Sequence, residues 1–301
     1  MEEPTKPKRQ YVWIVRYGLT EHPLVEDLGP YDSDIDPNEG IEHAKSIAKR
    51  IAGGIHNDGP DGESDSVPKF VYTSPFLRTA HTGYIVANEL QQQQKQKQQQ
   101  QSETKEPKVE LRFEEGLWEW LIPSLLVTKA DGIKTNPMDV DSLTAKLCEL
   151  ENTASDDNDN DKNASIIVVD YPDVNPYDDS GDEGLTCVPE RMVDPDLEKN
   201  NNENENNNKR RPRWIESEAD LLERCETTLN GLLENHTDTG ASLCIVSHAP
   251  CDQAMAFSME AGAATPGESE LTPWPLGGIT VFSRPIVRSG GDDDDDDDDD
   301  D

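Results

Sequence analysis

The sequence predicts an α/β fold, a three-layer α/β/α sandwich around a mainly parallel sheet. Three observations carry this. Short apolar runs rich in β-branched residues recur along the chain. Amphipathic helical segments separate them. The departures from that rhythm are confined to a few low-complexity tracts. Strands that alternate with helices favour a parallel sheet covered on both faces.

The elements follow in order. YVWIVR (11–16) reads as a buried strand. GIEHAKSIAKRIA (40–52) places Ile41, Ala44, Ile47, Ala48 and Ile51 on one helical face. FVYTS (70–74) is a second strand. A helix is expected to start near Ser74, with serine as the cap and Pro75 in the first turn, and to run through FLRTAHTGYIVANEL. VELRF (109–113) is a third strand and SIIVVDY (165–171) a candidate for another. ADLLERCETTLNGLLE (219–234) has helical spacing, and SLCIVSH (242–248) and ITVFSR (279–284) are the last strands.

The chain is 301 residues long, 33% hydrophobic, with a mean hydropathy of -0.81. The apolar deficit sits in Gln91–Gln101, Asp156–Asn163, Asn200–Asn208 and the closing aspartates Asp292–Asp301, with Asn57–Ser66 as a loop of the same kind. Such tracts bury no apolar surface and are expected to be solvated and mobile. The expected organisation is a disordered segment 1–10, one domain over 11–288 with insertions near 57–66, 91–107, 152–164 and 198–211, and a disordered poly-Asp tail, 289–301.

The formal net charge is -36. A surface this acidic argues against nucleic acid as a partner, since phosphate backbones need a basic surface. No apolar run reaches the length of a bilayer span, and the first ten residues lack the apolar stretch of a signal peptide. The expected setting is cytoplasmic, with no membrane partner and with the acidic tracts as surfaces for protein contacts. The five cysteines, Cys148, Cys187, Cys225, Cys244 and Cys251, show no CxxC spacing, so neither a disulfide framework nor a zinc site is indicated. Cys244, inside an apolar strand, reads as a small buried hydrophobe. No metal and no cofactor is expected.

In parallel sheets, chemistry gathers just past the carboxyl ends of the strands. Those positions hold Arg16-Tyr17-Gly18, then Ser74-Pro75 with Arg78 beyond, then Glu114 and Glu115, then Ser247-His248. Two guanidinium forks beside a helix N-terminus suit a phosphoryl group. A carboxylate and a histidine suit proton transfer to a leaving oxygen. Taken singly, each residue has a blander reading. Arg16 is a strand-end surface arginine, Arg78 a helix arginine paired with an acid, His248 a satisfied core histidine, and Glu114 one acid among many. His81, one turn past Arg78, reads as helix surface, and Trp118 and Trp120 as packing aromatics.

Five segments together resemble the histidine-phosphatase superfamily, the phosphoglycerate-mutase-like proteins. VRYGLTE (15–21) is similar to the strand followed by Arg-His-Gly, with Tyr17 at the place of the histidine. TSPFLRTAHT (73–82) is similar to the second arginine motif. EEGLWEW (114–120) resembles the segment carrying the acid glutamate in the eukaryotic phosphatase branch. IVSHAP (245–250) resembles the late-histidine motif, and PLGGITVF (275–282) the closing strand. The resemblance spans roughly 11–125 and 216–285, with the motifs in family order.

It implies a phosphate pocket in which Arg16, Arg78 and His248 bind the phosphoryl oxygens. Glu114, or Glu115 one residue on, would be the acid. Tyr17 would stand where a histidine attacks phosphorus. A phenol with an ordinary pKa of about 10 is mostly neutral at pH 7, and an aryl phosphate is a poorer relay than a phosphohistidine. The resemblance therefore implies a phosphomonoesterase with weak or altered activity. The alternative is a catalytically inactive pseudophosphatase that binds a phospholigand. In either case the expected partner is a phosphorylated small molecule or a phosphoprotein, and the segment at 114–120 favours hydrolysis over mutase chemistry.

Overall fold

The computed structural model describes residues 9–20, 33–54, 66–101, 108–120, 140–153, 216–237, 239–260 and 274–286. The candidate strand at 165–171, the Asp/Asn and Asn/Glu tracts and the aspartate tail lie outside these residues.

Five strands form one sheet: β1 (Arg9–Arg16), β2 (Phe70–Thr73), β3 (Glu110–Phe113), β4 (Leu243–Ser247) and β5 (Ile279–Pro285). Their order is β3-β2-β4-β1-β5. The first four are mutually parallel, and β5 runs antiparallel along β1. The helices are α1 (Glu39–Ala52), α2 (Leu77–Gln101), α3 (Val140–Thr153), α4 (Glu218–Glu234) and α5 (Ala249–Glu260). Among the described residues, no helix is long and apolar enough to cross a membrane.

The alternation of side chains along β1 sorts the core into two layers. Tyr11, Trp13 and Val15 face α1, α2 and α3, packing with Ala44, Ile47, Ala80, Leu90 and Leu143. Val12 and Ile14 face α4 and α5, packing with Leu221, Leu229, Ala254 and Met255. A sheet covered on both faces is the expected three-layer sandwich. The helices after β1 and β2 lie on one face, whereas α5, which follows β4, lies on the other. Since β4 sits between β1 and β2, the chain diverges to opposite faces there, and this opens a crevice at the carboxyl ends of all three strands.

Several elements differ from the sequence reading. Strand β1 starts at Arg9, inside the segment assigned to a disordered N-terminus. Helix α2 continues through the glutamine run to Gln101 instead of ending at an insertion. Glutamine is a good helix former once a helix is nucleated, and buried Gln91 accepts a hydrogen bond from Val109 N at 3.2 Å. Ser74 does not cap α2. Proline disfavours helical backbone in the residue before it, so Ser74 N–H extends the sheet to Val246 O, and Phe76 O receives the first helical bonds from Thr79 and Ala80. Helices α3 and α5 carry weak amphipathic patterns and were not anticipated. Helix α4 opens with a reciprocal cap, in which Ser217 Oγ accepts from Asp220 N and Asp220 Oδ2 accepts from Ser217 N.

Candidate functional site

The parallel register aligns the strand ends. Arg16 pairs with Ser247, and Thr73 with both Val246 and Phe113. The residue after each strand therefore reaches the same edge. Backbone bonds fix the corner after β1: Arg16 N donates to Gly278 O, Tyr17 N to Ser247 O, and Gly277 N to Tyr17 O. Gly277 has φ +65° and lies against the His43 ring, where a Cβ has no room. Gly18 N donates to Thr82 Oγ1 at 3.1 Å, which ties the corner to α2.

Arg16, Tyr17, Arg78 and His248 meet in the crevice. The Arg16 and Arg78 guanidinium carbons lie 5.4 and 5.0 Å from the Tyr17 ring centroid. That ring also stands edge-on to the His248 ring, with centroids 5.6 Å apart. Tyr17 is thus a partly buried aromatic between two cations, a contact its π electrons favour. Arg16 donates from Nη1 to the Trp274 carbonyl, while its buried Nε has no partner among the described residues.

His248 is fully buried. Its Nε2 is 3.0 Å from Ser74 Oγ and its Nδ1 is 3.0 Å from Glu119 Oε2. Arg78 Nη2 lies 3.3 Å from both Glu119 Oε2 and His248 Nδ1. Burial pushes His248 down to about 4, against the pull of Glu119. For Glu119, burial acts upward, but His248 and Arg78 outweigh it and bring the carboxyl to about 2. The consistent arrangement at pH 7 is a neutral imidazole whose Nδ1–H donates to an ionised Glu119, with Ser74 Oγ–H donating to Nε2 and Arg78 carrying the positive charge.

The sequence candidates Glu114 and Glu115 stand elsewhere in the segment. Glu114 Oε1 accepts from Gly116 N at 2.9 Å and caps a single 3-10 turn, Glu115–Leu117. The carboxylate brought against Arg78 and His248 is Glu119, which sequence reasoning did not single out. The signal was present, since EEGLWEW contains three glutamates and the turn after Glu115 carries the third back to the crevice. His81 is not helix surface. It is 5% exposed, with Nδ1 2.8 Å from Asp34 Oδ1.

The segment that delivers Glu119 is clamped from below. Arg224, 1% exposed, binds Glu216 bidentately at 2.6 and 2.7 Å and donates through Nη1 to the Gly116 and Trp118 carbonyls. Ser247 Oγ donates to Leu117 O, and Cys251 Sγ to Trp118 O. A Cβ on Gly116 would collide with Thr228 Oγ1, so the close approach of turn and helix requires glycine. Asp252, one turn into α5, is fully buried with both carboxyl oxygens unpartnered among the described residues. Burial pushes its carboxyl well above the usual range, and nearby Arg16 only partly opposes this.

No family model and no curated protein matches this chain. Solved structures similar to it include ecdysone phosphate phosphatase from Bombix mori in complex with tungstate, at 14% identity, 90% of this chain and 88% of that one, and TM-score 0.48. Phosphoserine phosphatase from Entamoeba histolytica in complex with 3-phosphoglyceric acid follows at 15% identity, 91% and 90% coverage, and TM-score 0.39. Phosphoglycerate mutase from Bacillus anthracis is similar at 13% identity, 93% and 90% coverage, and TM-score 0.42.

Proposed function

We propose that the crevice takes a phosphomonoester in the manner of the histidine-phosphatase superfamily, and that its turnover is weak because Tyr17 holds the attacking position. The observation that carries this reading is the meeting of Arg16, Arg78 and His248 at the point where the chain diverges from the sheet. Two arginines present several N–H donors to the equatorial oxygens of a phosphoryl group and offset the charge that develops there. Arg16 Nε is a donor with no acceptor among the described residues. A neutral His248 adds hydrogen bonding without a further charge.

The slow route is direct hydrolysis. Water attacks phosphorus, the ester P–O bond breaks, and the leaving oxygen takes a proton. Glu114 remains the proposed acid from its sequence position. Glu119, whose carboxyl is brought to about 2 by His248 and Arg78 against the effect of burial, is ionised at pH 7 and has no proton to donate there. The expected substrate is a phosphorylated small molecule or a phosphoprotein in an intracellular setting, with hydrolysis favoured over mutase transfer.

A second reading is a pseudophosphatase that holds a phospholigand without turnover. The pairing of Glu119 with both Arg78 and His248 favours it, because an ionised carboxylate already engages two of the groups that catalysis needs.

The deciding experiment is hydrolysis of p-nitrophenyl phosphate by the full chain, by Tyr17→His, and by Arg78→Ala in each background. The expected result is a low wild-type rate, a gain of at least about a hundredfold in Tyr17→His, and loss of both with Arg78→Ala. A silent wild type with a strong gain in Tyr17→His selects the pseudophosphatase. A Tyr17→His variant that folds yet stays silent rejects the phosphatase reading.

A further inference from the structure

Glu119 raises a question that a phosphate pocket alone does not answer. Its Oε2 sits within 3.3 Å of Arg78 Nη2 and 3.0 Å of His248 Nδ1, on the donors that an oxyanion would use. Its other oxygen accepts from its neighbour Trp120 N at 3.1 Å. The side chain keeps 11% of its surface exposed, whereas Arg78 keeps 3%. Its contact with Arg78 is a single long bond, unlike the bidentate bonds of 2.6 and 2.7 Å that lock Glu216 to Arg224.

We propose that Glu119 is an internal ligand of the anion pocket, which an incoming phosphoryl dianion must displace from Arg78 and His248. This rests on the phosphomonoester reading and adds a selectivity device to it. A carboxylate or other monoanion would exchange one charge for an equal one and gain nothing from Arg78. A phosphoryl dianion offers more acceptor oxygens and twice the charge, and it can also engage Arg16 Nε, which has no partner among the described residues. The pocket thus excludes monocarboxylates and admits dianionic phosphoryl groups, at a reduced affinity for the latter.

The test is equilibrium binding of inorganic phosphate and of acetate to the full chain at constant ionic strength. The proteins are the wild type, Glu119→Gln, Glu119→Ala, and each combined with Arg78→Ala. Phosphate is expected to bind both Glu119 variants at least tenfold more tightly than the wild type. Acetate should be detected only in the variants, and Arg78→Ala should remove all binding. Thermal unfolding in phosphate provides a second readout. If a Glu119 variant is loosened by the exposed charge of Arg78, phosphate should raise its Tm more than that of the wild type. Equal or weaker phosphate binding in both variants, or no greater Tm rise, overturns the internal-ligand inference. In that case Arg78-dependent wild-type binding would leave the pocket reading standing. Absence of phosphate binding in every protein overturns both.

Discussion

Arg224 and Arg78 are both buried, both paired with a glutamate, and both within reach of the 115–120 segment, yet their donors are distributed differently. Arg224 meets Glu216 with a two-pronged fork and turns Nη1 to two backbone carbonyls, so its hydrogen bonds end on fixed protein atoms. Arg78 Nη2 donates one long bond to Glu119 beside the His248 ring, and the guanidinium lies over the Tyr17 and Phe76 rings. The first arrangement holds a chain segment in place. The second leaves a cation engaged by groups that an outside anion can replace. Residue type and burial are alike, and the geometry of the glutamate contact is what separates them, a two-pronged fork for Arg224 and a single long bond for Arg78.

The comparison can be broken most directly at the arginines. Arg224→Met should cost roughly 3–5 kcal/mol of stability, the usual loss when one partner of a buried ion pair is removed. Arg78→Met should cost distinctly less, because its contact with Glu119 is a single long bond and not a fork, while phosphate binding disappears. Urea unfolding of the two variants measures this, and equal losses would make Arg78 a second scaffold residue.

A smaller effect separates the pairs by pH. His248 belongs to the Arg78 cluster and has its pKa lowered from 6.5 to about 4 in the folded chain. Between those values the unfolded chain binds the extra proton, so stability is full above pH 6.5 and falls as pH drops toward 4. The loss is roughly 3 kcal/mol over that window, at about 1.36 kcal/mol per pH unit. His236, which receives the Tyr72 hydroxyl proton and is likewise pushed down to about 4 by burial and by Arg112, adds to it. Denaturation midpoints at pH 7, 5.5 and 4.5 should decline, and His248→Asn should flatten the decline. An unchanged slope in that variant would mean that His248 is charged in the fold.

A further pH effect concerns Asp252, whose sign is opposite. Its folded carboxyl is raised, so its contribution is greatest below the unfolded value near 3.8 and is lost as pH rises. Asp252→Asn should therefore gain on the wild type with increasing pH, by no more than about 1.4 kcal/mol for each pH unit. A constant difference from pH 4 to 7 would mean that Asp252 is ionised in the fold.

Much of this was legible beforehand. The alternation of Tyr11, Trp13 and Val15 with Val12 and Ile14 marks a strand buried on both sides, and strand ends located Arg16, Arg78 and His248. What the sequence hid was the path of the chain after β3. That Glu119 reaches Arg78 depends on a one-turn 3-10 helix, and that turn is held by Arg224, more than a hundred residues away. Local pattern carries no record of such a contact. Helix α5 was hidden for another reason: it carries buried Asp252 beside buried Cys251 and Met255 and so lacks a clean apolar stripe.

Strand β5 has a consequence for how this molecule can be joined to others. Its antiparallel run places Pro285 beside Arg9, so both ends of the sheet-bound chain leave at one corner. Arg9 and Arg16 are the two ends of β1, and at about 3.3 Å per residue that corner lies roughly 23 Å from the pocket. Whatever continues from Arg9 or from Pro285 starts at that corner, with the mouth of the crevice at the opposite end of β1.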